Sequence, residues 1–242
     1  MAYGAIYGVA ASTGLAWGLT RALPLAEPYA AGLMLVALTP CAPFLPVMVR
    51  RAKGDMSHAP AMMLLAAVGT VAVLPVAAPL LAPGLAVDAW TIAKPLVALV
   101  LAPLGLGMAV FRAAPCAAAA IRPLAKQAAG VGAVVLLGLC GVIYGRGFLD
   151  TLGGFAIASY ALFFGLATGM AWGLSPGLTR ERRSVLGLAV CTRNAGAALA
   201  PLLAAPAADP RAIVMVALAV PSQVAAALLW AWWFARGTTP RG

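Results

Sequence analysis

Long apolar runs alternate along the chain with short clusters of charged residues, glycine and proline. The runs are continuous and show no period-two alternation, so they predict helices and not the strands of a membrane barrel. Each run is close to the length of ~20 residues that a helix needs to cross a bilayer. The runs cover residues 3–20, 29–49, 60–82, 89–111, 127–145, 152–173, 185–206 and 212–235. This pattern predicts an all-α membrane protein with about eight transmembrane helices.

The second run, residues 29–49, is not expected to form one regular helix. It contains Pro40, Pro43 and Pro46 at three-residue spacing. Each proline removes a backbone donor and clashes with the preceding turn, so this series should break the helix near its middle. Irregular backbone at membrane depth is tolerated only where protein or a water-filled cavity surrounds it. We therefore expect a broken helix whose middle lies inside the protein; simple proline kinks are the alternative.

A second interruption lies in the run at residues 185–206. Thr192, Arg193 and Asn194 stand side by side there in an otherwise apolar sequence. Gly196 follows shortly, and glycine permits unwinding or close approach. An arginine at the centre of a spanning helix costs roughly 2.5–3.5 kcal/mol on insertion scales, so Arg193 should face an interior and have a partner or ligand. A purely structural partner for Arg193 is the alternative.

Broken helices in two different halves of a chain indicate the substrate site of a carrier, because their half-helix ends direct dipoles and free backbone groups at the midplane. We expect the two interruptions to cross at mid-membrane. The candidate substrate-binding residues are Thr39, Cys41, Pro43, Thr192, Arg193 and Asn194. The candidate structural helix breaks are Pro40, Pro46 and Gly196. The predicted function is a secondary transporter that works by alternating access around these breaks.

Composition supports the membrane interpretation. Of the 242 residues, 64% are hydrophobic and only 9% are charged, whereas soluble domains have ~25% charged residues. The net charge of +10 does not predict nucleic-acid binding, because the charges lie in short clusters between the apolar runs. With a cytoplasmic N-terminus, eleven of the sixteen Lys and Arg residues lie on the inner side and three on the outer side. We therefore predict a multi-pass protein of a bacterial-type plasma (inner) membrane with both termini cytoplasmic.

The side chains that chemistry or metal binding would need are scarce. The chain has four cysteines without a CxxC spacing, and His58 is its one histidine, so a metal site or cofactor is not expected. All six acidic residues lie at loops or at the ends of the runs. An intramembrane enzyme needs acid, base or metal-binding groups at depth. The sequence therefore predicts that the protein is not an enzyme.

Both interruptions resemble motifs of the bile acid:sodium symporter family, within the wider superfamily of bile, arsenite and riboflavin carriers. The stretch "TPCAPFLPVMVRRAKGD" keeps the proline of the family's first broken helix at Pro40 and its closing Ala-Lys-Gly-Asp at residues 52–55. The stretch "AVCTRNAGAALA" keeps the asparagine of the second broken helix at Asn194 and its small-residue tail. The resemblance extends from Ala2 to about Arg236.

The resemblance implies a fold of ten spans in two inverted five-helix repeats. This chain then begins at the third family span and lacks the first two, which belong to the family's panel domain. A truncated member that does not transport is therefore one alternative. The implied regions are first-repeat core helices (1–82), panel-type helices (83–146) with a basic, helical cytoplasmic linker (111–127), second-repeat core helices (147–236) and a cytoplasmic tail (237–242).

The departures from the family pattern concern the coupling ion. The family's sodium ligands fall at positions where this chain has Leu45, Pro46, Ala189 and Arg193. Sodium is a hard cation that needs oxygen ligands, and none of these side chains has an oxygen. Arg193 also brings a positive charge, and two unit charges about 4 Å apart repel by ~4 kcal/mol at an effective dielectric of 20. Our hypothesis is that Arg193 stands in for a sodium ion and holds an anionic substrate or a fixed charge balance.

The expected partners are a small organic anion and the lipid bilayer, with a homodimer as an open alternative and no nucleic acid. A second substrate class is open as well. Arsenite efflux carriers of the superfamily have a Pro-Cys pair that Pro40-Cys41 matches, and a thiolate is a soft ligand for arsenite. If the broken helices cross, Cys191 lies near Cys41. Two packing cysteines in one core are the simpler interpretation.

Overall fold

The structure, a computed structural model, describes residues 2–81, 88–205 and 207–237. Within these ranges the chain is helical apart from short connections, which confirms the all-α membrane class. Four of the described helices are long and apolar enough to cross a membrane. They are Ala59–Leu81, Pro115–Asp150, Ala156–Gly173 and Pro210–Arg236.

The first apolar runs form helices in the expected places, and one run is divided in two. The helices are α1 (Ala2–Ala22), α2 (Glu27–Ala37), α3 (Leu45–Arg51) and α4 (Ala59–Leu81). The run predicted at residues 29–49 comprises α2 and α3, and residues 38–44 between them are not helical. Pro46 lies in the first turn of α3, where a missing N–H leaves no carbonyl unpaired. The proline series thus divides the helix as expected.

The middle of the chain forms a pair of long, largely exposed helical stretches. Its helices are α5 (Ala89–Leu96) and α6 (Ala102–Ala113), joined by a π-helical turn at Val97–Leu101, and α7 (Pro115–Asp150). The segment 111–127, predicted as a helical linker before a separate span, is helical except at Ala114 but continues into that span within α7. The alanine-rich sequence after Pro115 has high helix propensity, so nothing separates linker from span.

The last part of the chain repeats the division seen in the first. Its helices are α8 (Ala156–Gly173), α9 (Arg180–Cys191), α10 (Ala195–Ala204) and α11 (Pro210–Arg236). The run predicted at residues 185–206 comprises α9 and α10, and residues 192–194 between them are not helical. The ends of two predicted runs, residues 82 and 206, lie outside the described residues. Of the predicted tail, Gly237 alone is described.

The interior is built around α2, which packs against α11. The contact is close at Gly32, because a Cβ atom there would lie 2.7 Å from the Cβ of Met215 and 3.0 Å from the carbonyl oxygen of Ala212. α8 joins the same interior, where the hydroxyl of Tyr160 donates to the carbonyl oxygen of Met215 at 2.8 Å. These helices hold the two interruptions in the protein interior. The division into repeats and panel helices stays a prediction.

Candidate functional site

The two interrupted helices cross where each loses its helical hydrogen bonds. Pro40 and Arg193 form an isolated antiparallel β-bridge. The backbone N–H of Asn194 donates to the carbonyl oxygen of Thr39 at 2.8 Å. Helix ends leave several backbone groups without partners, and these contacts pair some of them across the crossing. The structure therefore brings together the two interruptions that the sequence indicated.

Cys41 has an unusual backbone conformation at the crossing. Its φ angle of 71° lies in the left-handed region, which costs a non-glycine residue of order 1–3 kcal/mol. The second broken helix holds it there. The N–H of Cys41 lies 2.6 Å from the carbonyl oxygen of Thr192 and 3.1 Å from that of Ala189. The next amide, of Ala42, donates to the hydroxyl oxygen of Thr192 at 3.3 Å.

The side chain of Arg193 is fully buried, with 0% of its surface exposed. Its Nη1 atom donates to the carbonyl oxygen of Ala37 at 3.0 Å and to the hydroxyl of Ser12 at 3.3 Å. The guanidinium carbon lies 4.9 Å from the ring centroid of Phe163, a distance typical of a cation–π contact. The backbone N–H of Arg193 donates to the side-chain oxygen of Gln223. Arg193 therefore connects both broken helices to α1, α8 and α11.

No carboxylate within the described ranges forms an ion pair with Arg193. All six acidic residues lie in these ranges, none of them is buried, and the ion pairs found there involve Asp55 and Asp209. The carbonyl end of α2, which Ala37 terminates, is the electronegative partner instead. A cation is favoured at a helix C-terminus because the last carbonyl groups carry partial negative charge. The site therefore has a net positive charge.

The predicted polar side chains at the crossing mostly close helix ends. The hydroxyls of Thr39 and Thr192 are buried, and each donates to a carbonyl of its own helix, at 3.1 Å and 2.9 Å respectively. The side-chain oxygen of Asn194 accepts from the N–H of Ala197 at 3.2 Å and caps α10. These contacts define local geometry. Whether the same groups also bind substrate stays a prediction.

One side of the crossing is accessible. Pro43 and Gly196 are exposed and Asn194 is partly exposed, whereas Cys41 is buried. A Cβ atom on Gly196 would lie 3.5 Å from the side-chain oxygen of Asn194, an ordinary van der Waals distance, so the backbone there can be approached closely. The crossing thus presents Pro43, Asn194 and Gly196 outward and keeps the Arg193 guanidinium inside.

The other positions where the resemblance places sodium ligands carry no side-chain oxygen. Leu45 and Ala189 are buried at 0% and 2% exposure, and Pro46 is partly buried. The carbonyl oxygen of Ala189 is occupied by the N–H of Cys41. Hard cations need oxygen ligands, and the side chains of Leu45, Pro46 and Ala189 have none.

The two broken helices are also joined at the ends that lie away from the crossing, after α3 and at the start of α9. The N–H of Asp55 donates to the carbonyl oxygen of Glu181 at 3.3 Å, and its carboxylate lies 3.4 Å from Nε of Arg182 and 2.9 Å from Nδ1 of His58. Hydrogen bonds from the hydroxyl and the N–H of Ser57 lower the pKa of Asp55 to about 2. The Ala-Lys-Gly-Asp motif after α3 therefore holds the start of α9.

Comparison with known families agrees with this architecture. The family model described as the Sodium Bile acid symporter family matches residues 6–149, which is more than half of the chain. The chain belongs to the sodium bile acid symporter family. A search of curated proteins gives no significant match. The matched residues include the first broken helix, and the second broken helix with Arg193 lies beyond them.

Membership confirms several sequence-based predictions at the level of the family. The sodium bile acid symporter family consists of membrane transporters, and the apolar helices are those of a multi-pass membrane protein. Transport by symport is the family's activity, and enzymatic catalysis is not.

Three side chains that contact Arg193 were not among the sequence-based candidates. Ser12, Phe163 and Gln223 all contact it, from α1, α8 and α11. Gln223 carried a usable signal, because an amide in the middle of an apolar run needs a buried partner. Ser12 and Phe163 are ordinary residues of membrane helices, so their sequence context gives no comparable signal.

Proposed function

We propose that this protein is a secondary transporter that carries a small organic anion across the membrane by alternating access. The substrate site lies at the crossing of the two broken helices. The observation that supports this most is the buried guanidinium of Arg193, which has no carboxylate partner among the described residues. A buried charge that is kept without a counter-charge is expensive, and in membrane helices such residues are functional by default.

The charge distribution at the crossing favours an anion. Arg193 contributes a positive charge, and α10 begins two residues later with its electropositive end at the same place. The exposed backbone at Gly196 and the partly exposed side chain of Asn194 form the accessible side of that helix end. An anion at the crossing is therefore attracted both by the charge of Arg193 and by the N-terminal end of α10, and helix N-termini commonly bind anions.

We further propose that Arg193 replaces the coupling sodium ion. Its Nη1 atom binds the Ala37 carbonyl and the Ser12 hydroxyl, which are oxygen ligands of the kind that sodium prefers. A sodium ion about 4 Å from the guanidinium would be repelled by ~4 kcal/mol at an effective dielectric of 20. Transport is then uniport, proton-linked or exchange. Both termini face the cytoplasm of a bacterial-type inner membrane in this proposal, and a homodimer stays an untested alternative.

Flux through purified protein in liposomes tests the proposal. Labelled cholate, taurocholate, pantoate and arsenite are offered to wild type, Arg193→Gln and the control Arg183→Lys. Arg183 lies near the start of α9, away from the crossing, and its guanidinium donates to the Trp172 carbonyl of α8. We expect saturable flux of at least one organic anion in wild type and control, and its loss in Arg193→Gln. Equal flux in all three proteins contradicts the role of Arg193.

The same assay separates the two alternatives. Flux of arsenite alone that is lost in Cys41→Ser identifies an arsenite carrier and contradicts the organic-anion proposal. Absence of flux and of binding for every compound identifies a member that does not transport.

A further inference from the structure

One edge of the Arg193 guanidinium has no partner among the residues that the structure describes. Nη1 is bonded to Ala37 and Ser12, but Nε and Nη2 are buried and have no hydrogen-bond partner in the described part of the chain. Because the guanidinium is planar, Nε–H and one N–H of Nη2 point the same way. These two atoms form a fork of parallel donors inside the protein.

Burial of this fork calls for an acceptor. Arginine is not deprotonated in proteins, so its donors stay charged. A buried donor without an acceptor costs the desolvation energy of that group, and the cost is larger for a charged group. The Phe163 ring lies against the guanidinium, 4.9 Å from its central carbon, and a cation over a ring leaves its in-plane donors free. The acceptor must therefore approach along the Nε–Nη2 edge.

We propose that the Nε–Nη2 fork binds the carboxylate group of the transported anion as a bidentate pair. The inference rests on the proposed function and names the chemical class of its substrate. A carboxylate has two coplanar oxygens at the spacing of the fork and carries the opposite charge, which makes this pair one of the strongest hydrogen-bonded pairs in proteins. Its negative charge also supplies what the six acidic residues, none of them buried, do not.

The bidentate geometry gives a specificity that a bare positive charge does not. A primary amide has the shape of a carboxylate but one acceptor oxygen, and its NH₂ group faces the fork with donors against donors. A lysine keeps the charge of arginine but not the planar pair of donors. Carboxylates should therefore bind far better than their amides, and Arg193→Lys should lose this preference.

The test measures ligand-induced stabilisation of the full-length protein in lipid nanodiscs. The probes are three matched pairs of increasing size: propionate and propionamide, benzoate and benzamide, cholate and cholic acid amide. The proteins are wild type, Arg193→Lys, Arg193→Gln and the control Arg183→Lys. Ligand-free unfolding temperatures show first that each variant is folded.

We expect at least one carboxylate to stabilise wild type and the control while its amide does not. Its affinity should fall on the order of tenfold to a hundredfold in Arg193→Lys, which is what the loss of charged hydrogen bonds costs. Arg193→Gln should not bind it.

Two outcomes overturn the inference. In one, no carboxylate of the three pairs stabilises wild type more than its amide does. In the other, Arg193→Lys binds the carboxylate as tightly as wild type. That result would mean that the site needs only a positive charge, and it would not contradict the proposed transport of an organic anion. Binding that is unchanged even in Arg193→Gln would remove Arg193 from the proposed function as well.

Discussion

The Nη1 atom of Arg193 lies 3.0 Å from the carbonyl oxygen of Ala37, the last residue of α2. The side chain of Arg193, which belongs to the second broken helix, thus caps the C-terminal end of α2, the first half of the first broken helix. A helix C-terminus attracts cations, and here the protein supplies one covalently. A cation that is part of the chain stays at the crossing throughout transport, whereas a bound ion is taken up and released. This difference has consequences for stability, ligand selectivity and coupling.

Replacing Arg193 by methionine should separate stability from function. Replacing a buried ion pair by apolar side chains of similar volume is often neutral or stabilising by about 1–4 kcal/mol, because the cost of desolvating the charges disappears, and Arg193→Met removes the same kind of cost. The Ala37 carbonyl keeps a hydrogen-bond partner in the variant, because the Ser12 hydroxyl donates to it at 3.2 Å. We expect Arg193→Met to keep or raise the unfolding temperature and to abolish anion flux. A decrease of about 3 kcal/mol or more in the free energy of unfolding, with anion flux retained, would show that Arg193 has a structural role.

The packing of α2 against α11 should be sensitive to the smallest added side chain. In Gly32→Ala, the new Cβ atom would lie 2.7 Å and 2.8 Å from two atoms of Met215 and 3.0 Å from the Ala212 carbonyl oxygen. Overpacking of this kind costs typically ~1–3 kcal/mol. We expect a clearly lower unfolding temperature for Gly32→Ala.

Gly69→Ala in α4 is the matched control for that substitution. A Cβ atom on Gly69 meets no atom within 4 Å, so the gain in helix propensity should leave stability unchanged or raise it by up to ~1 kcal/mol. Equal losses in both variants would contradict the close contact between α2 and α11.

The loop contact between the two broken helices should depend on pH. Hydrogen bonds from Ser57 lower the pKa of Asp55 from 3.8 to about 2, so the ionised carboxylate stabilises the folded state. Because the folded-state pKa is the lower one, this contribution is complete above about pH 4–5 and disappears as the pH falls towards 2. We expect the difference in unfolding temperature between wild type and Asp55→Asn to shrink as the pH falls from 5 towards 2. A difference that grows over this range would contradict a stabilising role of the ionised Asp55 carboxylate.

Cysteine labelling tests the orientation of the chain. Cys116, at the start of α7, is exposed, whereas Cys41, Cys140 and Cys191 are buried. Cys116 lies in the basic segment that charge counting places in the cytoplasm. A membrane-impermeant maleimide should label inside-out vesicles and not intact cells, and Cys116→Ser should remove the label. Labelling of wild type in intact cells with loss in Cys116→Ser would place this segment outside.

The helix breaks could be predicted from the sequence because their causes are local. Pro40, Pro43 and Pro46 lack backbone donors, and the polar residues around Arg193 interrupt an apolar run. The continuity of α7 could have been predicted less easily. Its alanine-rich start reads both as a connector and as a helix, and the difference depends on whether anything breaks it.

The surroundings of Arg193 could not be predicted, because they depend on how distant helices pack. Ser12 and Phe163 are 181 and 30 residues away along the chain, and nothing local indicates that they meet. The hydroxyls of Thr39 and Thr192 show a related limit. A threonine can bond a ligand or a carbonyl of its own helix, and the choice follows from the fold.

The dependence of anion uptake on sodium tests the central claim most directly. Uptake of a transported anion by reconstituted wild type is compared with sodium on both sides, with an inward sodium gradient, and with sodium replaced by N-methyl-glucamine. Because Arg193 takes the place of the coupling cation in our proposal, we expect the same initial rate in all three conditions. Uptake that requires sodium, or that an inward sodium gradient drives uphill, would contradict the account.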